Sequence, residues 1–127
     1  MTGATRRYTV AVGALARVRS GDKGNTANIG VVAYTAAAYE WLARELTAER
    51  VKAHYATVSR GVVERFELPN LQALNFVLHD VLGGGGSRSL RVDAQGKALG
   101  QAMLTLEVPA PSAYVIEEAE RARSAEL

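Results

Sequence analysis

From Tyr8 to Val18, hydrophobic residues recur at every second position. Val10, Val12, Ala14, Ala16 and Val18 share one side, and Ala11, Gly13 and Leu15 keep the other side apolar. Such a run predicts a strand covered on both faces. Asn28 to Tyr34 repeats the pattern, with Ile29, Val31 and Ala33 opposite Gly30 and Val32, and predicts a second interior strand. The period then changes: Ala38, Trp41, Leu42 and Glu45 trace an amphipathic helix over Thr35–Leu46, with Trp41 as its core anchor. Thr47 stands where an N-cap is wanted for a further helix over Ala48–Ala56, with Glu49 favourable in its first turn. Val62–Leu68 alternates as a strand and is stopped by Pro69. Asn70 then predicts a cap for a helix over Leu71–Leu82, in which Leu71, Leu74, Leu78 and Leu82 form a stripe. Ser89–Val92 and Ala98–Val108, joined by Asp93–Lys97, predict a hairpin with Leu104, Leu106 and Val108 facing inward.

Helices segregated to one side of a largely antiparallel sheet are the simplest way to bury these stripes, which gives an α+β sandwich of two layers. At 127 residues, 48% hydrophobic and 22% charged, the chain suits one domain over 1–127, with its core in about 8–108 and a polar surface tail at 109–127. The absence of cysteine excludes disulfides, thiolate metal sites and thiol nucleophiles. No apolar run approaches the length of a membrane span, and Met1–Val10 lacks the apolar region of a signal peptide, so the expected place is the cytoplasm, with no membrane contact. The net charge of +2 is uneven: Arg6, Arg7, Arg17, Arg19 and Lys23 crowd the first 23 residues against Asp22 alone. That asymmetry suits an anionic ligand near the basic end, and it equally suits a solvated surface. Nucleic acid is not expected, because sheet readers of RNA stack bases on strand aromatics, and these strands offer little beyond Tyr8, Tyr34 and Phe66.

The segment Arg17–Gly30 (RVRSGDKGNTANIG) holds more polar atoms than a strand connection needs. Gly21 and Gly24 suffice for turning. Asp22, Lys23, Asn25 and Asn28 are therefore candidates for a site. Polar groups held at the ends of interior strands need partners or cost roughly 1–3 kcal/mol each. The plainer account of the same residues is an Asx-turn closed by Asp22 and Asn25 on local N–H groups. Asn75, beside Leu74 in an apolar segment, also demands specific partners if buried. Gly83–Gly86 reads either as a helix stop or as exposed N–H groups that hold an anion, with Gly84 and Gly85 nearest to it. His54 is expected as ordinary helix surface.

The segments at 16–31 (ARVRSGDKGNTANIGV), 41–56, 63–78 (VERFELPNLQALNFVL) and 82–108 (LGGGGSRSLRVDAQGKALGQAMLTLEV) resemble, in order and spacing, the ferredoxin-fold domain of the AtuA-like proteins of acyclic terpene utilisation. The resemblance covers about residues 12–108. It implies a ferredoxin-like α+β fold and a setting in acyl-CoA metabolism. Members of that family typically carry a large preceding domain, so this chain is expected to work as a small subunit beside a separate large AtuA-like chain, in an oligomer.

Two functions follow as expectations. In the first, the chain supplies part of a hydro-lyase or lyase site for a branched or terpenoid acyl-CoA or carboxylate. Asp22, Lys23 and Asn25 are then catalytic, while Arg17, Arg19, Ser20, Asn28, Arg65, Asn75, Gly84 and Gly85 bind substrate, with no cofactor and no metal. In the second, it is a noncatalytic assembly module for the large chain, whose polar loop braces the fold.

Overall fold

The structure is a computed structural model that describes residues 8–81 and 98–126, apart from the side chains of Asp22 and Lys23. Its centre is β3 (Thr26–Ala33), in which Ala27, Ile29, Val31 and Ala33 are buried while Asn28 is exposed. β3 pairs antiparallel with β2 (Ala16–Lys23) on one side and with β5 (Ala73–Leu78) on the other, and β4 (Val63–Leu68) closes the sheet beyond β5. The order β2-β3-β5-β4 leaves β2 and β4 at the margins. Among the described residues no strand pairs with the other side of β2, whose apolar run suggests an interior strand.

The first predicted strand is two strands. After β1 (Thr9–Ala11), a 3-10 turn at Val12–Ala14 redirects the chain into β2. Val12 N–H donates to the Leu106 carbonyl at 2.8 Å, and a Cβ on Gly13 would lie 3.3 Å from the Leu104 carbonyl oxygen, so a small residue lets the turn approach the C-terminal part of the chain. β1 pairs with β6 (Glu107–Pro109) in a separate antiparallel ribbon.

The helix expected over Leu71–Leu82 is instead β5. The leucine stripe coincides with a second periodicity, in which Leu74, Phe76 and Leu78 alternate with Ala73, Asn75 and Val77. A short apolar run satisfies both periods. The decision comes from upstream: Pro69–Leu71 forms a 3-10 turn ended by Gln72 at φ 51°, which folds β5 back on β4 as a hairpin. Asn70 lies inside that turn and caps no helix. Full burial of Phe76 in the sheet contributes about 1.5–3 kcal/mol. The predicted strand over Ala98–Val108 is likewise corrected: residues 98–105 form helix α3, and only 107–109 are extended. Leu99 and Met103 are buried while Gln101, which period two would put on the same face, is exposed, a spacing that a helix explains. The first strand of that expected hairpin, at 89–92, lies outside the described residues.

Helices α1 (Ala36–Glu45) and α2 (Ala48–His54) form as expected, capped by Thr35 Oγ1, which accepts from Ala38 N–H at 3.0 Å, and Thr47 Oγ1, which accepts from Arg50 N–H at 3.1 Å. Trp41 is only partly buried; its Nε1–H donates to the Pro109 carbonyl and ties α1 to β6. Residues 112–126, expected as a polar surface tail able to form a short surface helix, carry α4 (Ala113–Ala125), whose Ala119 is fully buried and which lies against α1. α1 and α2 lie against β3 and β4, and α3 approaches β2, where a Cβ on Gly100 would come within 2.9 Å of Ser20 Oγ. The helices thus gather on one face of an antiparallel sheet, the α+β, ferredoxin-like class. Among the described residues no helix is long and apolar enough to cross a membrane.

Candidate functional site on the open face of the sheet

Strand registry sorts the polar residues onto two faces. In β2 and β3, Ala16 faces Ala33, Val18 faces Val31 and Ser20 faces Ile29 on the helix side. The other parity brings Arg17 opposite Val32, Arg19 opposite Gly30 and Gly21 opposite Asn28. It continues into β5 and β4, where Gly30 faces Asn75, Asn28 faces Val77, and Phe66 and Leu68 face Asn75 and Ala73. Arg17, Arg19, Asn28 and Asn75 therefore share one face with Phe66 and Leu68. The face is open: Arg19 and Asn28 are exposed, and Phe66, Leu68 and Leu71 retain 47%, 41% and 66% of their surface. Single exposed apolar residues are ordinary; here Phe66 and Leu68 on the sheet face and Leu71 in the adjoining 3-10 turn are exposed together.

A trough of ≈ 340 Å³ runs over this face, lined by Arg17, Arg19, Gly30, Val32, Leu68, Leu71, Ala73, Leu74 and Asn75. Gly30 forms its floor, since a Cβ there would lie 3.7 Å from both the Arg19 carbonyl oxygen and Asn75 Oδ1. Among the described residues, the Arg19 guanidinium has no ion-pair partner and the Asn75 amide no side-chain hydrogen bond. Arg17 is engaged, with Nη1 2.9 Å from Glu126 Oε1 at the end of α4. Both side chains are substantially exposed, and such a pair is worth at most about 1 kcal/mol. A ligand anion can displace Glu126 at little cost. The trough thus offers guanidinium and amide donors at one side of an aliphatic channel, a donor set for a carboxylate or thioester carbonyl with an apolar chain.

Other expected site residues lie elsewhere. Arg65 belongs to the helix side of β4, where Nε–H donates to the Leu46 carbonyl at 3.1 Å, Nη2–H to the Ala43 carbonyl, and Nη1 meets Glu67 Oε2 at 3.0 Å. It closes the C-terminal end of α1. Ser20 abuts Gly100 on the helix side. The segment read as a polar loop is a hairpin turn: β2 runs through Asp22 and Lys23, which face Ala27 and Thr26, and only Gly24 (φ 63°) and Asn25 connect the strands. Asn25 presents its carbonyl to Val81 N–H at 2.8 Å and is exposed. Gly84 and Gly85 lie outside the described residues.

Sequence reasoning missed Leu71, Leu68 and a histidine–carboxylate pair, His79 Nε2 with Glu64 Oε1 at 2.8 Å. Glu64 faces Val77, so this pair lies on the open face, about 13 Å along β5 from Asn75. The signal was present, because Ala73, Asn75, Val77 and His79 align at period two. Reading that segment as a helix scattered them. Among the described residues no group of three His, Asp or Glu could hold a metal ion.

No curated protein and no solved structure matches the chain. A family model described as the AtuA ferredoxin-like domain matches residues 10–109, from the end of β1 through all of β6. With 100 of its 127 residues matched, the chain belongs to the AtuA ferredoxin-like domain family.

Proposed function

We propose that the open face of the sheet binds the acyl part of a branched or terpenoid acyl-CoA, or the matching free carboxylate, and that the chain is the small subunit of a two-component enzyme completed by a large AtuA-like chain. The observation that carries this reading is the conjunction of Arg19 and the Asn75 amide, neither with a side-chain partner among the described residues, beside an aliphatic trough. Such a face binds and orients a ligand. Asp22, as general acid/base, with Lys23 and Asn25, supplies the chemistry of hydration, dehydration or lyase-type cleavage at the turn end of the β2–β3 hairpin, where position 23 has the open-face register of Arg19 and position 22 the helix-side register of Ser20, so the acyl group must extend past the turn to meet Asp22.

The test has two arms. Calorimetric titration of the chain with a branched-chain enoyl-CoA should show binding that Arg19→Ala weakens at least tenfold. The chain reconstituted with its large partner should turn over that thioester, and Asp22→Asn or Lys23→Ala should abolish turnover with the melting temperature unchanged. A second reading, a noncatalytic assembly module, is favoured by the exposure of Phe66, Leu68 and Leu71. It gains if thioester binding is absent while Phe66→Ala releases the large chain.

A further inference from the structure

Of the two histidines, His54 is taken up by packing, since its Nε2 meets the Ala102 carbonyl at 2.9 Å and ties α2 to α3. His79 is placed otherwise. It follows β5 directly; its N–H donates to the Val62 carbonyl at 3.1 Å, and its carbonyl accepts from Gly61 N–H at 3.2 Å and from Ser59 Oγ at 2.9 Å. Just beyond it, Asp80 takes a left-handed φ of 58°, and Val81 N–H donates to the Asn25 carbonyl at 2.8 Å. The imidazole is thus mounted on a backbone held from both sides, at the turn end of the open face. Its Nε2 lies 2.8 Å from Glu64 Oε1. An ionised carboxylate only accepts, so the proton of this bond sits on Nε2, and the lone pair of the neutral ring is on Nδ1. Among the described residues Nδ1 has no partner. Both side chains are half-exposed, so a ligand on this face reaches them.

Asn28 faces Val77, and Val77 faces Glu64, so the exposed Asn28 amide and His79 are diagonal neighbours with Cα atoms about 7–8 Å apart. That spacing leaves room for a carbonyl oxygen at the amide and a water at the imidazole, with the reacting carbons between them. A ligand reaching from the trough toward Asp22 crosses the row of Asn28 and then that of His79. We infer that His79 is a catalytic general base of the open face and that Glu64 is its positioning residue, fixing the tautomer that leaves Nδ1 free to accept; the inference rests on the reading of this face as an enoyl-thioester site. In hydration, Nδ1 takes a proton from water as the water oxygen bonds to the β-carbon. The electron pair of the double bond moves through the α-carbon to the thioester oxygen beside Asn28. The enolate then takes a proton at the α-carbon from Asp22, and the imidazolium returns its own proton to Asp22 through solvent. Dehydration runs the same transfers backward.

In calorimetric titration with a branched-chain enoyl-CoA, His79→Gln should bind as the unmodified chain does. Reconstituted with the large partner, the same variant should lose about 10²–10⁴-fold in kcat. Free imidazole should restore turnover to His79→Ala, which a merely structural role would not allow. Glu64→Gln should lower kcat by a smaller factor at unchanged KM. In 15N spectra of the unmodified chain, the enoyl-CoA should shift His79 Nδ1 and leave His54 unmoved. Turnover that survives His79→Gln, or thioester binding that leaves the His79 nitrogens unmoved, overturns the inference and spares the reading of the face. Absence of thioester binding to the unmodified chain overturns both.

Discussion

Asn75 faces Gly30 across β3 and β5, and a Cβ on that glycine would touch Asn75 Oδ1 at 3.7 Å. That distance is ordinary van der Waals contact, so the backbone tolerates a side chain there, and the space a larger one would occupy is the floor of the trough. Gly30→Val is therefore expected to leave the melting temperature unchanged or raise it by a few degrees, because glycine weakens a strand interior by roughly 0.5–1 kcal/mol relative to alanine. Acyl-CoA binding should fall at least tenfold. Thermal melts and calorimetric titration of one preparation check both halves.

Arg19 and Arg65 should separate cleanly. Arg19 bonds nothing among the described residues, so Arg19→Ala should cost less than about 0.5 kcal/mol of stability while removing a charge-assisted hydrogen bond to ligand worth about 1.5–3 kcal/mol. Arg65 holds the carbonyls of Ala43 and Leu46 at the end of α1. Arg65→Ala should cost about 1–3 kcal/mol in urea unfolding and leave the folded chain's ligand affinity within about twofold.

Why the sequence reveals some of these elements and hides others is a matter of which constraint is local. Thr35 and Thr47 announce α1 and α2 because a cap is a contact three residues long. The β2–β3 hairpin is legible through Gly24, which alone of its neighbours takes a positive φ. By contrast, β5 depends on Gln72 reversing the chain and on β3 and β4 being there to pair with, and neither is visible in a leucine stripe. The same error hid half of the candidate site: Asn75 was visible as an oddly placed amide, but its neighbours Gly30, Arg19 and Leu68 are set by register. Arg65 looked like an anion holder because its guanidinium is a generic donor, and only packing shows that helix carbonyls have claimed it.

Gly61 supports the bend before β4. A Cβ there would come within 2.8 Å of the His79 carbonyl oxygen, which already accepts from Gly61 N–H and Ser59 Oγ. Gly61→Ala is expected to destabilise the chain by roughly 1–3 kcal/mol, read as a lowered urea midpoint with an unchanged slope.

Burial raises the Tyr55 phenol well above its ordinary value near 10. Its hydroxyl donates to the Leu99 carbonyl and ties α2 to α3. In the unfolded chain the phenol loses its proton near pH 10, whereas the folded chain keeps it. The stabilisation is therefore complete below pH 10 and falls above it by about 1.4 kcal/mol per pH unit. Tyr55→Phe should lose about 1 kcal/mol at pH 7 and show a shallower decline above pH 10, so the two stability curves converge in alkali.

The β1–β6 ribbon has a kinetic consequence. Thr9 bonds Glu107 across 98 positions of sequence, so on a ribosome adding about 5–20 residues each second the first strand emerges many seconds before its mate is made. The four-stranded sheet is complete by Leu78 and can assemble meanwhile. Closure of the ribbon therefore follows assembly of the four-stranded sheet, and until its mate arrives β1 keeps an unpaired backbone within reach of chaperones and proteases.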